Sequence, residues 1–236
     1  MFIDLGNRLS QASASGQESR SRSAPPALPI VFVVDDDISV RESLELLIRC
    51  GGWQPETFAS AQDFLAHPRV RTPSCLVLDV TLPDLNGLDL QRLVAADRAD
   101  MPIIFITGYG DVAMTVKAMK AGAVEFLTKP FRDDALLDAI QYAIDRSDTA
   151  LDHDAQMQIL RDRYARLTCR EREVMGLIIT GRLNKQVGGD LDISEITVKA
   201  HRGNVMRKMN ARSFADLVNM AAKLDLRAAP KSWRND

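Results

Sequence analysis

The 236-residue sequence contains only three cysteines, and their positions exclude the usual sulfur-based sites. Cys50, Cys75 and Cys169 lie far apart, without the close paired spacings of a zinc site or a disulfide framework. We therefore expect reduced and mostly buried thiols. Histidine is equally scarce, and because His67 and His153 stand in no motif of a phosphate-donating histidine, we expect both at the surface.

Long hydrophobic runs are missing as well. No stretch approaches the roughly 18 consecutive apolar residues of a membrane span, and the N-terminus lacks a basic segment followed by an apolar one and a cleavage site. We therefore expect a cytoplasmic protein without a membrane partner. The 46% hydrophobic and 26% charged residues are ordinary for a globular chain, and the length suffices for two modest domains.

Neither sign of charge dominates, since the formal net charge is −2. This balance hides an acidic excess over residues 28–147 and a basic excess over residues 163–227. An acidic half can hold a cation and a basic half can face phosphate groups, although each excess alone also fits a solvated surface. The two halves therefore have different expected partners.

Both ends of the chain lack apolar periodicity. Residues 1–27 are rich in Ser, Ala, Gln, Gly and Pro, which predicts a disordered N-terminal arm; a misassigned start codon explains this composition equally well. Residues 228–236 are expected to form a flexible tail.

From Pro29 onward, short apolar runs alternate with helical segments. Five strands alternating with five helices predict a doubly wound, five-stranded parallel α/β domain over residues 28–146. Ligands of such a sheet bind outside the carboxyl ends of its strands. The predicted strands cover residues 30–34, 54–58, 75–78, 103–106 and 124–127, and the last helix covers about 133–146.

The remaining sequence has no strand signal. We expect a helical linker at residues 147–166 and a small all-α domain at residues 167–227. Thr168 and Glu171 form a capping box for the first helix of this domain, and Gly181 ends that helix. The predicted helices cover residues 169–180, 184–191, 195–209 and 213–222.

Several carboxylates follow the ends of predicted strands. Asp35, Asp36 and Asp37 come directly after the first strand, and Asp79 comes directly after the third. Since the carboxyl ends of parallel strands share one edge, these groups would gather in one crevice, where their repulsion is costly without a divalent cation. Magnesium suits ligands that are all oxygen. The sequence therefore predicts a Mg²⁺ site at this edge.

A hydroxyl and an ammonium group reach the same edge. Thr107 comes at the end of the fourth strand, and Lys129 follows the fifth. A carboxylate nucleophile, a metal, a hydroxyl and a lysine together permit in-line attack and neutralise the charge on phosphoryl oxygens. A single Asp at a strand end is usually a cap, but the coincidence of all four groups favours phosphoryl transfer.

These motifs make residues 29–146 similar to a known family. VVDDD (33–37), LDVTLPDLNGL (78–88), FITGYGD (105–111) and AMKAGAVEFLTKPF (118–131) resemble the receiver domain of bacterial response regulators. The resemblance implies that Asp79 accepts the phosphoryl group, and that the Lys129–Pro130 bond is cis. It also implies magnesium binding by Asp35, Asp36, Asp79 and the backbone carbonyl of Thr81, phosphoryl contact by Lys129, and switch roles for Thr107 and Phe126.

An enzymatic alternative comes from the first acidic run. Residues 35–39, DDDIS, fit the Asp-x-Asp-x-Thr/Val pattern of haloacid-dehalogenase-like phosphatases, in which Asp35 would be the nucleophile. That motif is short, the domain has no room for the usual cap, and Asp79 would have no role. The receiver interpretation therefore takes precedence.

The segment after Asp192 predicts an amphipathic basic helix. Ser194 is a good N-cap, and Glu195 suits the positive end of the helix dipole. With the short helix before it, this helix has the dimensions of one that enters the DNA major groove, although a basic helix of a protein-interaction bundle has the same periodicity. Its expected buried stripe is Ile196, Val198, Val205, Met206 and Met209, and its expected basic face is Lys199, His201, Arg202, Arg207 and Lys208.

Residues 167–223 resemble the LuxR-type (NarL/FixJ) helix-turn-helix, beginning LTCREREVMGLIITGRLNKQVGGDLDISEITVKAHRGNVMRKM. Two-domain regulators of the FixJ type, including those of aromatic catabolism, have the same domain order. The resemblance implies that Lys199 and Arg202 lie nearest the bases and that Lys185 lies near a phosphate. Thr197 and Arg207 complete the implied DNA-binding set.

Three glycines depart from this family's pattern. Gly188 and Gly189 stand in the scaffold helix, at a cost of about 1 kcal/mol each in helix propensity. Close approach of the two helices explains Gly188 but not Gly189. Gly203 stands in the recognition helix where some relatives have Lys, so one DNA contact is expected to be absent.

Together, the resemblances imply a two-component response regulator. A sensor histidine kinase would phosphorylate Asp79, the receiver would dimerise, and paired helix-turn-helix domains would bind double-stranded promoter DNA, with RNA polymerase as a further partner. No enzymatic activity is expected beyond phosphorylation and dephosphorylation of Asp79 itself. The remaining alternative is an unphosphorylated DNA-binding or scaffold protein whose receiver only dimerises.

Overall fold

The computed structural model describes residues 28–226, which form an α/β domain followed by a helical domain. The expected N-terminal arm (1–27) and C-terminal tail (228–236) lie outside the described residues. Within residues 28–226, no helix is both long enough and apolar enough to cross a membrane.

The α/β domain alternates strands and helices as predicted. Its strands form one parallel sheet in the order β2-β1-β3-β4-β5, which confirms the doubly wound fold. Its elements are, in chain order, β1 (Ile30–Val34), α1 (Ile38–Cys50), β2 (Gln54–Phe58), α2 (Ala61–Ala66), β3 (Ser74–Asp79), α3 (Gly87–Asp97), β4 (Ile103–Thr107), α4 (Val112–Lys120), β5 (Glu125–Thr128) and α5 (Asp133–Ala165).

The three central strands are buried along their whole length, because helices cover both faces of the sheet. Alternate side chains of β1 enter opposite layers. Phe32 and Val34 belong to the core that includes Phe64 of α2, whereas Val31 and Val33 belong to the core shared with α1 and α5. The uninterrupted apolar runs of the sequence follow from this two-sided burial.

Helix α5 runs without a break from Asp133 to Ala165, over 33 residues. The segment 147–166, expected as a separate helical linker, is almost entirely a continuation of the last receiver helix. Ile140 and Ile144 belong to the α/β core, and Leu160 belongs to the core of the helical domain. One helix therefore contributes to both cores.

The helical domain contains the helix-turn-helix predicted from the sequence. Thr168 and Glu171 form the expected capping box at the start of its first helix, and Gly181 follows the end of that helix with a φ of 87°. The elements of this domain are α6 (Cys169–Ile178), α7 (Asn184–Leu191), α8 (Glu195–Met209) and α9 (Phe214–Lys223).

Two expectations about scarce residues need correction. Of the three cysteines, only Cys75 is buried, while Cys50 at the end of α1 and Cys169 at the start of α6 are exposed. His67 is not a simple surface residue, since its ring packs 5.5 Å from the Phe32 ring and its Nε2 lies 3.3 Å from Glu56. His153 is exposed, as expected.

Candidate functional site: acidic pocket and basic helix

The register of the sheet brings three carboxylates together. Val34 of β1 pairs with Leu78 of β3, so the residues that follow them lie side by side at the carboxyl edge. Carboxylate oxygens of Asp35, Asp36 and Asp79 all lie within 4.8 Å of one another. Three of the four predicted carboxylates therefore gather in the folded chain, whereas Asp37 caps α1 by accepting the backbone N–H of Ser39 at 2.8 Å.

The chemistry of this cluster fits a magnesium ion. Asp35 and Asp79 are buried and Asp36 is exposed, which leaves one side of the cluster open to water ligands. Mg²⁺ prefers oxygen ligands and keeps several waters, so three converging carboxylates suit it. The backbone N–H of Thr81 donates to Asp79 Oδ1 at 2.9 Å, which fixes the loop that carries the expected carbonyl ligand.

Lys129 joins two of these carboxylates directly. Its Nζ donates to Asp35 Oδ2 at 2.6 Å and to Asp79 Oδ2 at 2.8 Å. Burial raises the pKa of Asp35 even though the hydrogen bond from Lys129 opposes that rise. Burial acts to lower the pKa of Lys129, but its bonds to the two carboxylates outweigh burial and raise that pKa. The lysine is therefore held as a cation beside Asp79.

The predicted switch residues lie on the neighbouring strands. Thr107 ends β4 and is fully buried, and its Oγ1 accepts the backbone N–H of Tyr109 at 3.2 Å. Phe126 on β5 is half-buried, with its ring 6.0 Å from the Phe105 ring. The Lys129–Pro130 peptide is cis, as expected.

Two glycines support this pocket and were assigned no role from the sequence. A Cβ on Gly87 would lie 2.6 Å from the carbonyl oxygen of Asp79, so only glycine lets α3 begin this close to β3. A Cβ on Gly110 would lie 3.0 Å from the Phe126 ring and 2.9 Å from Thr128 Cγ2. Their only sequence signal is position, since both fall inside the motifs that follow β3 and β4.

The second candidate site is the outer face of α8. Ser194 caps the helix by accepting the N–H of Thr197 at 3.1 Å, as predicted. Val198, Val205 and Met209 are fully buried and fix the inner face of the helix. The side of α8 that carries exposed Ile196, Lys199, Gly203 and Arg207 is open to a partner.

Most residues predicted to contact DNA are exposed, but one is not free. Lys185, Thr197, Lys199 and Arg207 are exposed. Arg202 is half-buried: its guanidinium stacks over the Phe214 ring at 4.8 Å from the centroid and lies 3.4 Å from Asn184 Oδ1. The structure thus places Arg202 against α7 and α9 and not on the open face.

The predicted positions of two α8 side chains, Ile196 and Lys208, are wrong. Ile196, expected in the buried stripe, is 82% exposed, because it lies two residues, or about 200° of helix, away from buried Val198. Lys208, expected on the basic outer face, turns inward, and its Nζ lies 2.6 Å from buried Glu171 Oε2. This pair links α8 to the capping box of α6.

Comparison with known families covers both domains. Residues 31–141 match the model of the response regulator receiver domain. Residues 165–221 match the model of the bacterial regulatory proteins of the luxR family. The two matches follow the domain order expected from the sequence motifs.

Individual proteins match across the same span. Nodulation protein W of Bradyrhizobium diazoefficiens is 50% identical over 199 residues, which cover 84% of this chain and 88% of that protein. Response regulator protein TodT of Pseudomonas putida is 44% identical over 195 residues, with 83% and 86% coverage.

Among solved structures, the response regulator StyR superposes with a TM-score of 0.76 at 48% identity, covering 84% of this chain and 100% of StyR. Full-length FixJ from B. japonicum gives a TM-score of 0.51 at 40% identity, covering 86% and 99%. The chain therefore belongs to the response regulators that join a receiver domain to a LuxR-type DNA-binding domain, and it regulates transcription in a phosphorylation-dependent manner.

Proposed function

We propose that a sensor histidine kinase phosphorylates Asp79, and that the phosphorylated chain dimerises and binds promoter DNA in the cytoplasm. The observation that carries this proposal is the convergence of three carboxylates and Lys129 at one sheet edge, in a chain that also holds a helix-turn-helix. RNA polymerase is a further proposed partner of the DNA-bound dimer.

The proposed chemistry is a single phosphoryl transfer. An Asp79 carboxylate oxygen forms a new bond to phosphorus while the bond from phosphorus to the donor imidazole nitrogen breaks, and that nitrogen keeps the electron pair. Lys129 stands 2.8 Å from Asp79 and neutralises charge on the phosphoryl oxygens. Magnesium held by Asp35, Asp36 and Asp79 would supply further charge neutralisation. Hydrolysis of the Asp79 phosphoryl group would return the receiver to its unphosphorylated state. We propose no activity on other substrates.

Phosphorylation by a small donor tests the receiver half of the proposal. With acetyl phosphate and magnesium, we expect intact-protein mass spectrometry to show one added phosphoryl group, with peptide mapping to Asp79. Chelation of magnesium with EDTA should prevent the addition, because the clustered carboxylates repel the incoming phosphate. Asp79→Asn should remain unmodified, and Asp37→Asn, which changes an exposed neighbouring acid, should be modified normally.

Two results would contradict this assignment. Unchanged labelling of Asp79→Asn, combined with loss in Asp35→Asn and sustained phosphate release from a model ester, would favour a phosphatase with Asp35 as its nucleophile. Equal DNA affinity of the wild type and Asp79→Asn after acetyl phosphate treatment would favour a regulator that works unphosphorylated.

A further inference from the structure

Helix α8 presents an apolar side chain to water. Ile196 is 82% exposed, although isoleucine is among the residue types most often buried. Ile196 is not part of the hydrophobic core, because Val198, Val205 and Met209 form the buried side of the helix. An apolar side chain at the start of a basic helix is therefore available to contact a partner that binds this helix.

Ile196 shares its stripe with small and cationic residues. At 3.6 residues per turn, positions 196, 200, 203 and 207 lie on one side of the helix. Ala200 and Gly203 are exposed, and a Cβ built on Gly203 would meet nothing within 4 Å. Arg207 ends the stripe and Lys199 lies beside it, both exposed. The stripe is thus low in relief and apolar at one end, with cations along it.

Resting on the proposed DNA binding, we propose that Ile196 determines operator specificity by packing on the 5-methyl group of a thymine in the major groove. The cations favour a phosphate-rich partner, and thymine is the base that offers an apolar group on its major-groove edge. The small side chains at 200 and 203 let the helix axis approach the base edges.

The helix geometry also locates the base. Ile196 and Lys199 lie three residues apart, about 4.5 Å along the helix axis, and successive base pairs are about 3.4 Å apart. The thymine therefore lies within about two base pairs of the base that Lys199 contacts.

Removal of single methyl groups tests this contact. The probe is the duplex that the full-length wild-type protein selects from a random DNA pool, with each thymine replaced in turn by deoxyuridine. At one thymine of each half-site we expect the affinity of the wild type to fall about fourfold, the effect of one buried methyl-sized group. Ile196→Ala should bind the unmodified duplex more weakly and lose its sensitivity at that position.

The matched control is Ile159→Ala, which removes the same atoms from a 52% exposed position on α5 and should keep the wild-type response. An enriched duplex whose thymine methyls are all dispensable, or a sensitive thymine that Ile196→Ala still senses fully, would overturn this inference alone. A pool without any enriched sequence would overturn the proposed DNA binding and this inference with it. Circular dichroism of Ile196→Ala, expected to match the wild type, separates lost contact from lost folding.

Discussion

Lys129 is the one cation that the described structure places between two carboxylates of the acidic pocket. It donates to both Asp35 and Asp79, so it compensates part of their repulsion before any phosphoryl group arrives. A phosphoryl group on Asp79 would offer Lys129 new anionic oxygens. The hydroxyl of Thr107 is now bonded to the backbone of Tyr109 and would have to reorient to reach the same oxygens.

Substitution of Lys129 or Thr107 should separate phosphorylation from output. Lys129→Ala and Thr107→Ala remove groups expected to contact the phosphoryl oxygens and leave the proposed nucleophile in place, so we expect Asp79 to accept phosphate at least in part. Phosphorylation should then fail to raise operator affinity. Intact mass and DNA titration on the same samples measure both responses.

The control for this pair is Lys223→Ala, which removes an exposed lysine from α9. It should be phosphorylated and activated like the wild type. If acetyl phosphate activates wild type, Lys129→Ala and Thr107→Ala equally, neither residue transmits the switch.

Helix α7 offers two adjacent glycines with opposite environments. A Cβ on Gly188 would lie 2.7 Å from the carbonyl oxygen of Ile193, a backbone atom that cannot move without shifting the turn into α8. A Cβ on Gly189 would meet nothing within 4 Å. Close packing therefore accounts for Gly188, and nothing in the structure accounts for Gly189.

Alanine substitutions should change the stability of the helical domain in opposite directions. Gly189→Ala should raise the free energy of unfolding by up to about 1 kcal/mol, because alanine has the higher helix propensity. Gly188→Ala should lower it by about 1–3 kcal/mol through overpacking. Urea titrations followed by circular dichroism measure both changes. A stable Gly188→Ala variant with an unchanged midpoint would contradict the close approach of α7 to the turn.

Lys185 on α7 and Lys199 on α8, both exposed, should contribute to DNA binding differently. Lys199→Ala should weaken the free energy of operator binding by about 1–3 kcal/mol, because Lys199 lies on the open face of α8. It should also reduce the preference for one base at particular operator positions. Lys185→Ala should weaken binding to operator and random DNA alike. It should also lower, by about one, the slope of the logarithm of the binding constant against the logarithm of the salt concentration. Fluorescence anisotropy at several salt concentrations separates these outcomes, and the reverse pattern would exchange the two roles.

The acidic pocket could be predicted from the sequence more fully than the faces of α8. The acidic pocket was predictable because its carboxylates directly follow buried apolar runs, and parallel topology sends all strand ends to one edge. The faces of α8 were less predictable. Ile196 was expected to be buried because isoleucine usually is, although its spacing from Val198 places it on the other side of the helix. Lys208 pairs with Glu171, which lies 37 positions earlier, and local periodicity cannot reveal such a pair. Arg202 likewise meets Phe214 only through tertiary packing.

The continuous helix that connects the two domains was also not predicted from the sequence pattern. The expected end of α5 near residue 146 rested on a change in polarity, yet no glycine or proline interrupts the helix before Ala165. Residues near Ile144 pack in the receiver and Leu160 packs in the helical domain. Because one continuous helix enters both cores, dimerisation of the receivers would bring the two helical domains together as well.

This coupling leads to a prediction about assembly and affinity. A single helix-turn-helix contacts one half-site, and two recognition helices must lie about 34–36 Å apart to reach successive major grooves. A receiver dimer raises the effective concentration of the second domain, which strengthens binding by about 10²–10⁴ without a new DNA contact. The resemblance to receiver domains implies a dimer face formed by residues 111–120 and 124–127, where Val112, Val116 and Met119 are exposed apolar side chains.

We therefore expect phosphorylation to increase the dimer population and operator affinity together, and Asp79→Asn to lose both responses. Val116→Asp should accept phosphate on Asp79 yet stay monomeric and bind weakly, because a charge on the apolar face opposes its burial. Leu46→Asp, on the exposed side of α1, is the matched control and should behave like the wild type. Sedimentation and DNA titration at matched salt measure the two responses. Tighter operator binding by a phosphorylated protein that stays monomeric would reject dimerisation and point to release of a DNA-binding face masked by the receiver.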